Sequence, residues 1–222
     1  MKKQFRDRAE AGQLLAQQLQ SSYGNRSDVL VLGLPRGGIP VAYEIAQVLK
    51  APLDVCLVRK LGVPGHEELA MGAISAKQGM VLNQNVVQSL DISQKTIDRV
   101  AASEREELER RDRAYRGDRP APAIRDHIVI LVDDGIATGS TVKAALSTIQ
   151  QQKPKHLVIA VPVAPPTVCK ELKAQVDEVV CLLTPEWLSA IGLWYENFSQ
   201  TSDEEVRQFL KQAVPPSTAT SS

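Results

Sequence analysis

Apolar runs alternate with amphipathic stretches along most of the chain. Runs of four to eight mainly apolar residues predict strands at 28–34, 55–59, 127–132, 156–163 and 178–183. Continuous apolar runs are typical of strands that are buried on both faces of a parallel sheet. Because segments with helical spacing separate them, the pattern predicts an α/β fold with an open, mostly parallel sheet and helices on both of its faces.

The helical segments are defined by apolar residues three and four positions apart. They predict helices at 5 to about 22, 41–50, 93–116, 140–152, 166–175 and 203–212. The helix at 93–116 is the longest, and its charged flanks include the i,i+4 pair Glu107/Arg111. These charges are interpreted as a solvated helix face.

Between residues 60 and 90 the regular alternation is lost. The segment LGVPGHEELAMG at 61–72 is rich in glycine, proline and charge, which favours a mobile loop. The segments GAIS and MVLN at 72–75 and 80–83 then predict a short antiparallel hairpin. With the helix at 93–116 they form a hairpin and helix insertion in the sheet.

The composition changes after Thr184, where both tryptophans and two further aromatic residues gather in a chain that is only 4% aromatic. This segment, about 184–200, predicts a small C-terminal hood. The residues at 215–222, PPSTATSS, predict a disordered tail. The whole of 1–214 is therefore expected to form a single domain.

Composition and charge disfavour several classes of binding partner. The chain has 222 residues and a formal net charge of zero, so no global field attracts nucleic acid or anionic lipid. Its three cysteines are far apart and lack metal-ligand spacing. No window approaches the ~18 apolar residues of a membrane span. These features predict a soluble cytoplasmic protein that binds neither nucleic acid nor membrane.

The segment 129–141, VILVDDGIATGST, is the most informative motif in the chain. A buried strand ends in Asp133 and Asp134, and a turn of small and hydroxylated residues leads into a helix. Free backbone N–H groups at a helix start favour a phosphate. Either half alone is more often a turn with a helix cap. Together they indicate a ligand that carries both sugar hydroxyls and a phosphate.

This motif resembles the signature of the type I phosphoribosyltransferases, which bind 5-phosphoribosyl 1-pyrophosphate (PRPP). The resemblance implies the type I phosphoribosyltransferase fold and implies that Asp133 and Asp134 hold the ribose hydroxyls. It also implies that the loop wraps the 5-phosphate with Ala137, Thr138, Gly139, Ser140 and Thr141. Members that act on 6-oxopurines commonly have an aspartate at position 137, so Ala137 weakens the case for hypoxanthine or guanine.

Two further segments resemble other parts of the same site. Arg36, Gly37 and Gly38 in LPRGGIP follow the first strand and resemble the family's diphosphate loop, with a strained or cis peptide nearby. Arg59 and Lys60 are expected to end the second strand at the same sheet edge, where the family has a loop that closes over PRPP. Surface charges are an equally good interpretation of these two cations.

Over nearly its whole length the chain resembles a stand-alone bacterial subfamily assigned as phosphoribosyltransferases. It implies a magnesium-dependent transfer of phosphoribosyl from PRPP to a nitrogenous base or related acceptor. Asp133, Asp134 and Arg36 are then the catalytic candidates, and the two aspartates would meet Mg2+ only indirectly, through PRPP or water.

Three matters stay open at this stage. Trp187 or Trp194 of the hood is the candidate for stacking on the acceptor, although hood aromatics more often form core. The family implies a homodimer. A PRPP or nucleotide sensor that regulates transcription without transfer, or a hydrolase of the same ligand, are the alternatives to a transferase.

Overall fold

The computed structural model describes residues 4–76 and 79–213. The predicted tail at 215–222 lies outside the described residues. Within them the chain divides into two compact units, and the boundaries fall at Cys56/Leu57, Arg119/Pro120, Thr138/Gly139 and Gln152/Lys153. The prediction of one domain over 1–214 stays a prediction.

Strands in the described part of the chain occur in two sheets. They are β1 (Val29–Gly33), β2 (Leu53–Val55), β3 (Val58–Val63), β4 (His66–Ser75), β5 (Gly79–Leu82), β6 (Ile128–Val132), β7 (His156–Val163) and β8 (Glu178–Leu183).

Seven α-helices occur in the same described residues. They are α1 (Arg8–Tyr23), α2 (Gly38–Leu49), α3 (Gln84–Ser89), α4 (Gln94–Arg116), α5 (Ser140–Gln150), α6 (Pro166–Lys173) and α7 (Asp203–Gln212). A short 3-10 turn occupies Ile191–Trp194.

The first unit, called the parallel-sheet unit, contains β1, β2, β6, β7 and β8 with α1, α2, α6 and α7. Its five strands pair in the order β2-β1-β6-β7-β8, and every pairing is parallel. All residues of β1 and β6 are buried. Continuous apolar runs thus give central strands whose two faces are both covered, and the α/β fold class with a parallel sheet is confirmed.

The second unit, called the hairpin unit, comprises Leu57–Arg119 and Gly139–Gln152. Its three strands pair antiparallel in the order β3-β4-β5. Helices α3, α4 and α5 belong to it, and α4 buries Ile97, Leu108 and Tyr115 along one side. The charge pair Glu107/Arg111 on α4 is present, with 2.6 Å between Arg111 Nε and Glu107 Oε1.

Two sequence predictions are wrong in this region. The strand predicted at 55–59 is divided: Leu53–Val55 joins the parallel sheet, whereas Val58–Val63 begins the antiparallel one. The segment at 61–72, predicted as a mobile loop, is a hairpin made by β3 and β4. Its period-two pattern, with Leu61, Val63 and Met71 buried, is interrupted by glycine and proline and was therefore not apparent.

Most remaining elements agree with the sequence. The strands predicted at 156–163 and 178–183 and the helix at 203–212 have those bounds in the structure. The hairpin predicted from GAIS and MVLN is confirmed as β4 paired with β5. Helix α3 was not predicted, because its six residues are too few to show a helical period. No helix in residues 4–76 and 79–213 has the length and apolarity needed to cross a membrane.

Candidate functional site

The two aspartates of the motif follow β6 directly, in the parallel-sheet unit. Asp134 is 8% exposed, whereas Asp133 is more accessible. The backbone N–H of Asp134 donates to Asp133 Oδ1 at 2.9 Å, which fixes the first carboxylate at the strand end. The second carboxylate is therefore the less accessible of the two.

An arginine that no sequence pattern singles out binds the second aspartate. Arg8, the first residue of α1, donates from Nε to Asp134 Oδ2 at 2.8 Å, and its Nη2 lies 2.8 Å from the same oxygen. Its Nη1 donates to the carbonyl of Ser199 at 2.7 Å, and its Cζ lies 3.9 Å from the centre of the Phe198 ring. A single arginine in an amphipathic helix carries no signal for such a role.

Burial raises the pKa of both carboxyl groups above the ordinary value. For Asp133 the loss of solvation is the main cause, and the neighbouring charge of Asp134 raises the pKa further. For Asp134 burial again raises the pKa, while the Arg8 guanidinium opposes the increase. Arg8 thus favours the ionised form of Asp134.

The aromatic C-terminal segment also holds Asp134. Tyr195 is buried, and its hydroxyl donates to the backbone carbonyl of Asp134 at 2.6 Å. Phe5 N donates to Trp194 O at 2.9 Å, and Phe5 and Tyr195 form a parallel bridge with ring centres 5.4 Å apart. The N-terminal residue Phe5 and the aromatic C-terminal segment therefore meet next to the carboxylate pair.

Loss of the tyrosine hydroxyl should destabilise this arrangement. We expect Tyr195→Phe to lower the free energy of unfolding by about 1–2 kcal/mol, because a buried carbonyl loses its donor. The melting temperature of a chain of this size should fall by roughly 4 °C. Tyr43→Phe is the matched control, since the Tyr43 hydroxyl accepts from Gln47 at an exposed position. Equal melting temperatures for the two variants in thermal denaturation would contradict the expectation.

The glycine turn after β1 lies directly against the carboxylate pair. A Cβ added to Gly37 would stand 2.0 Å from Asp134 Oδ2. One added to Gly38 would stand 2.7 Å from the carbonyl oxygen of Val132. The peptide between Pro35 and Arg36 is cis, as the resemblance implied. Only glycine permits this close approach of the turn to the end of β6.

Arg36 extends from the same turn toward solvent. Its Nη1 lies 3.7 Å from Asp203 Oδ1, and 37% of its side chain is exposed. An exposed ion pair of this length contributes little to stability. The guanidinium can therefore exchange this carboxylate for an anionic ligand at little cost in free energy.

The predicted phosphate loop continues along the chain from the parallel-sheet unit into the hairpin unit. Ala137 and Thr138 are exposed in the first unit. Gly139, with φ of 75°, is the N-cap of α5, and Ser140 and Thr141 are its first residues. The left-handed conformation explains the glycine, and the first turn of α5 begins directly after it, so the backbone N–H groups of a helix start face the predicted phosphate loop.

A cavity of about 590 Å³ lies within the hairpin unit. Arg59 and Lys60, which β3 carries, line it together with Ser140 and Thr141 of α5. Arg59 Nε lies 2.5 Å from Glu104 Oε2, and Lys60 Nζ lies 3.2 Å from Glu68 Oε2. The expectation that these cations end a strand of the parallel sheet is therefore wrong: they lie within β3 of the antiparallel sheet, and they line the same cavity as the start of α5.

The two tryptophans of the hood differ in exposure. Trp194 is 8% exposed and belongs to a buried cluster with Phe5, Val163 and Tyr195. Trp187 is 90% exposed. The ring of Trp194 therefore contributes to the core, whereas Trp187 has an open face.

Asp133 and Asp134 are the acidic residues of the described site that could meet a metal. Among residues 4–76 and 79–213 no group of three histidine, cysteine, aspartate or glutamate side chains is placed to bind an ion. Asp133 and Asp134 supply two carboxylates, and Arg8 already binds one of them. This donor set fits Mg2+, which commonly keeps its waters and takes one or two carboxylates beside ligand phosphates.

Comparison with known proteins gives a consistent family. A family model described as "Phosphoribosyl transferase domain" matches residues 3–194. Two proteins of Mycobacterium tuberculosis, from strains CDC 1551 / Oshkosh and H37Rv, are each named "Putative phosphoribosyl transferase" and are 46% identical over 211 residues. The match covers 95% of this chain and 47% of each relative. The chain thus spans about half the length of the curated relatives it matches.

Two solved structures are similar over most of the chain. The crystal structure of TT1426 from Thermus thermophilus has 43% identity and a TM-score of 0.86, and the match covers 93% of this chain and 97% of that one. The AQ2163 protein from Aquifex aeolicus has 14% identity and a TM-score of 0.50, covering 93% and 86%. At that identity the second similarity concerns the fold alone.

Proposed function

Because the chain belongs to the phosphoribosyl transferase domain family, we propose that it transfers a phosphoribosyl group from PRPP to a nitrogenous base or related acceptor and releases diphosphate. The observation that carries the proposal is the contact of the Gly37–Gly38 turn with the Asp133–Asp134 pair. A turn with an approachable backbone beside two carboxylates suits a ligand in which a diphosphate is attached to a sugar.

The carboxylates act on the sugar in this proposal. Asp133 and Asp134 accept hydrogen bonds from the ribose hydroxyls and orient the ring. As diphosphate leaves, positive charge develops at C1 of the ribose, as in glycoside cleavage. Two ionised carboxylates near the ring stabilise that charge, and because they are fixed before the ligand binds, little reorganisation is required.

The diphosphate is assigned to the turn after β1. The backbone of Gly37 and Gly38 approaches it closely, and Arg36 exchanges its long contact with Asp203 for the departing oxygens. Arg36 then stabilises the negative charge of the leaving group. Mg2+, when bound with PRPP, would supply further charge neutralisation on the diphosphate, with Asp133 and Asp134 meeting it indirectly.

The 5-phosphate is assigned to the loop from Ala137 to Thr141. The first N–H groups of α5 and the hydroxyls of its first residues offer donors, and the helix dipole favours the anion. Contacts of Arg59 and Lys60 with the diphosphate stay a prediction. Each cation has a glutamate partner that an anionic ligand would have to displace.

The hood and Ala137 bear on the identity of the acceptor. Trp187 has the exposed ring that stacking on an acceptor needs, whereas the burial of Trp194 disfavours it for that role. Ala137 keeps an adenine-type acceptor ahead of a 6-oxopurine. The homodimer and the cytoplasmic location stay predictions.

One assay tests the proposed function. The protein is incubated with PRPP, Mg2+ and a panel of bases, and the release of diphosphate and nucleotide is followed. Transfer requires that diphosphate release depend on one of the bases and match nucleotide formation. Release without any base would instead indicate a hydrolase. Binding of PRPP in calorimetry without release of diphosphate would indicate a sensor. If PRPP did not bind, the proposal of a PRPP site would be wrong.

A further inference from the structure

We propose that Arg8 is a positioning residue that holds the carboxylate of Asp134 in the orientation needed for the ribose hydroxyls. The inference rests on the proposed function, because it names a residue that acts through one of the proposed sugar ligands. Nothing in the resemblance assigns a role to the start of α1.

The geometry of the ion pair is specific. Two nitrogens of one guanidinium, Nε and Nη2, both contact Oδ2 of Asp134 at 2.8 Å. Both contacts go to Oδ2, so Oδ1 takes no part in them. Two donors from one planar group converge on Oδ2 and hold the position of that oxygen more strictly than a single donor can.

Arg8 is itself held on its other sides. Nη1 donates to the Ser199 carbonyl at 2.7 Å, and the guanidinium lies over the ring of Phe198. The Asp134 and Arg8 side chains are each 11% exposed. An arginine fixed by a carbonyl and a ring loses little further entropy when it orients a partner, so it can serve as a rigid support.

The aspartate is fixed from two further directions. Its backbone carbonyl accepts from Tyr195, and Gly37 stands against its carboxylate. A Cβ on Gly37 would be 3.3 Å from Oδ1, so this oxygen lies beside the proposed diphosphate turn. With Arg8 on Oδ2, the remaining oxygen is presented at the position where a sugar attached to that diphosphate would be expected.

A purely structural ion pair predicts a different outcome from a positioning one. A structural pair affects the folded fraction, so at temperatures well below melting its loss leaves kcat and KM unchanged. A positioning pair affects the reacting geometry of fully folded protein. Displacement by about 1 Å at such a site can reduce turnover about 100-fold.

The test compares Arg8→Gln with Arg6→Gln. Arg6 is the matched control because it lies two residues away, loses the same charge and is 64% exposed in its pair with Asp7. Both variants are assayed with PRPP, Mg2+ and the acceptor found for the unaltered protein, well below their melting temperatures. We expect Arg8→Gln to reduce kcat/KM for PRPP about 100-fold, with part of the loss in kcat, and Arg6→Gln to stay within twofold.

A second variant keeps the test decisive if Arg8→Gln does not fold. Arg8→Lys retains the charge but cannot present two fixed donors to one oxygen while a third bonds Ser199. Arg8→Lys should fold, and its kcat/KM should fall roughly tenfold. That value lies between those of the natural protein and Arg8→Gln. Wild-type kinetics in a folded Arg8→Gln or Arg8→Lys variant would overturn the role of Arg8 and leave the proposed function standing. An unaltered protein that neither binds nor converts PRPP would overturn both.

Discussion

Replacing Gly37 with alanine is expected to reduce kcat/KM for PRPP by at least about 100-fold. The backbone of Gly37 has φ of −63° and ψ of −31°, which alanine adopts without strain. The added Cβ would nevertheless stand 2.0 Å from Asp134 Oδ2. Because Arg8 holds that oxygen, the carboxylate can make room only by leaving its partner. The loss of kcat/KM therefore arises because the Asp134 carboxylate, which is proposed to bind the sugar, is displaced.

Gly117→Ala provides the control for this prediction. Gly117 has φ of 60°, so alanine there is strained and should destabilise the fold by about 1 kcal/mol. The added Cβ would meet no atom within 4 Å. We expect this variant to melt at a lower temperature and to keep its kinetic constants. If Gly37→Ala also retained them, the contact between the glycine turn and Asp134 would have no part in the reaction.

The parallel sheet was predictable because its strands bury both faces. β6 and β7 lie in continuous apolar runs, and a run of that kind has few alternatives to a buried parallel strand. The motif that follows β6 was predictable for a related reason, since a strand end, two carboxylates and a helix start are contiguous in sequence. Features that depend on neighbours along the chain could thus be inferred without coordinates.

Features that depend on distant contacts could not be inferred. Arg8 and Asp134 are 126 positions apart, and Tyr195 is 61 positions beyond Asp134. No local pattern distinguishes Arg8 from Arg6, which is exposed and bonds its neighbour Asp7. The carboxylate pair was apparent in the sequence, but its contacts with Arg8 near the start of the chain and with Tyr195 of the aromatic segment were not.

The hairpin unit shows a second limit of sequence patterns. A strand with one face exposed has a period of two, and glycine or proline within it hides that period. In β3 and β4 the tip contains Pro64 and Gly65, with φ of 81° at the glycine. Turn residues therefore indicated a loop where they form the end of a hairpin. Arg59 and Lys60 were predicted on the parallel sheet for a different reason, because the apolar run at 55–59 spans the break between β2 and β3.

Asp133→Asn is expected to have opposite effects on activity and on stability. Asparagine is nearly isosteric, and its Oδ1 can still accept from the Asp134 N–H. It lacks the negative charge that the proposed mechanism requires near the ribose, so kcat should fall by about 100-fold or more. Removing a charge that burial disfavours should instead raise the free energy of unfolding at neutral pH by about 1 kcal/mol.

The stability gain should depend on pH with a definite sign. Burial raises the pKa of Asp133 in the folded protein above its ordinary value of 3.8. Below pH 3.8 the Asp133 carboxyl is protonated in both the folded and the unfolded state, so its ionisation does not change the free energy of unfolding. As the pH rises toward the raised pKa, the unfolded chain ionises first and the natural protein loses stability. The variant lacks this loss, so its advantage grows with pH and levels off above the folded pKa.

Asp28→Asn should show the reverse dependence and is the control. The Arg26 and Lys155 side chains hold the pKa of Asp28 below its ordinary value. Asparagine there should lower the free energy of unfolding by its full amount above that ordinary value, and this loss should begin to shrink only as the pH falls below it toward the lowered folded pKa. Urea unfolding of the natural protein, Asp133→Asn and Asp28→Asn is measured between pH 3 and pH 8 without magnesium. It shows whether each variant is more or less stable than the natural protein at each pH. If Asp133→Asn were less stable than the natural protein at pH 7, the Asp133 carboxylate would be a structural acceptor whose charge the fold requires, and its assignment to the sugar would be lost.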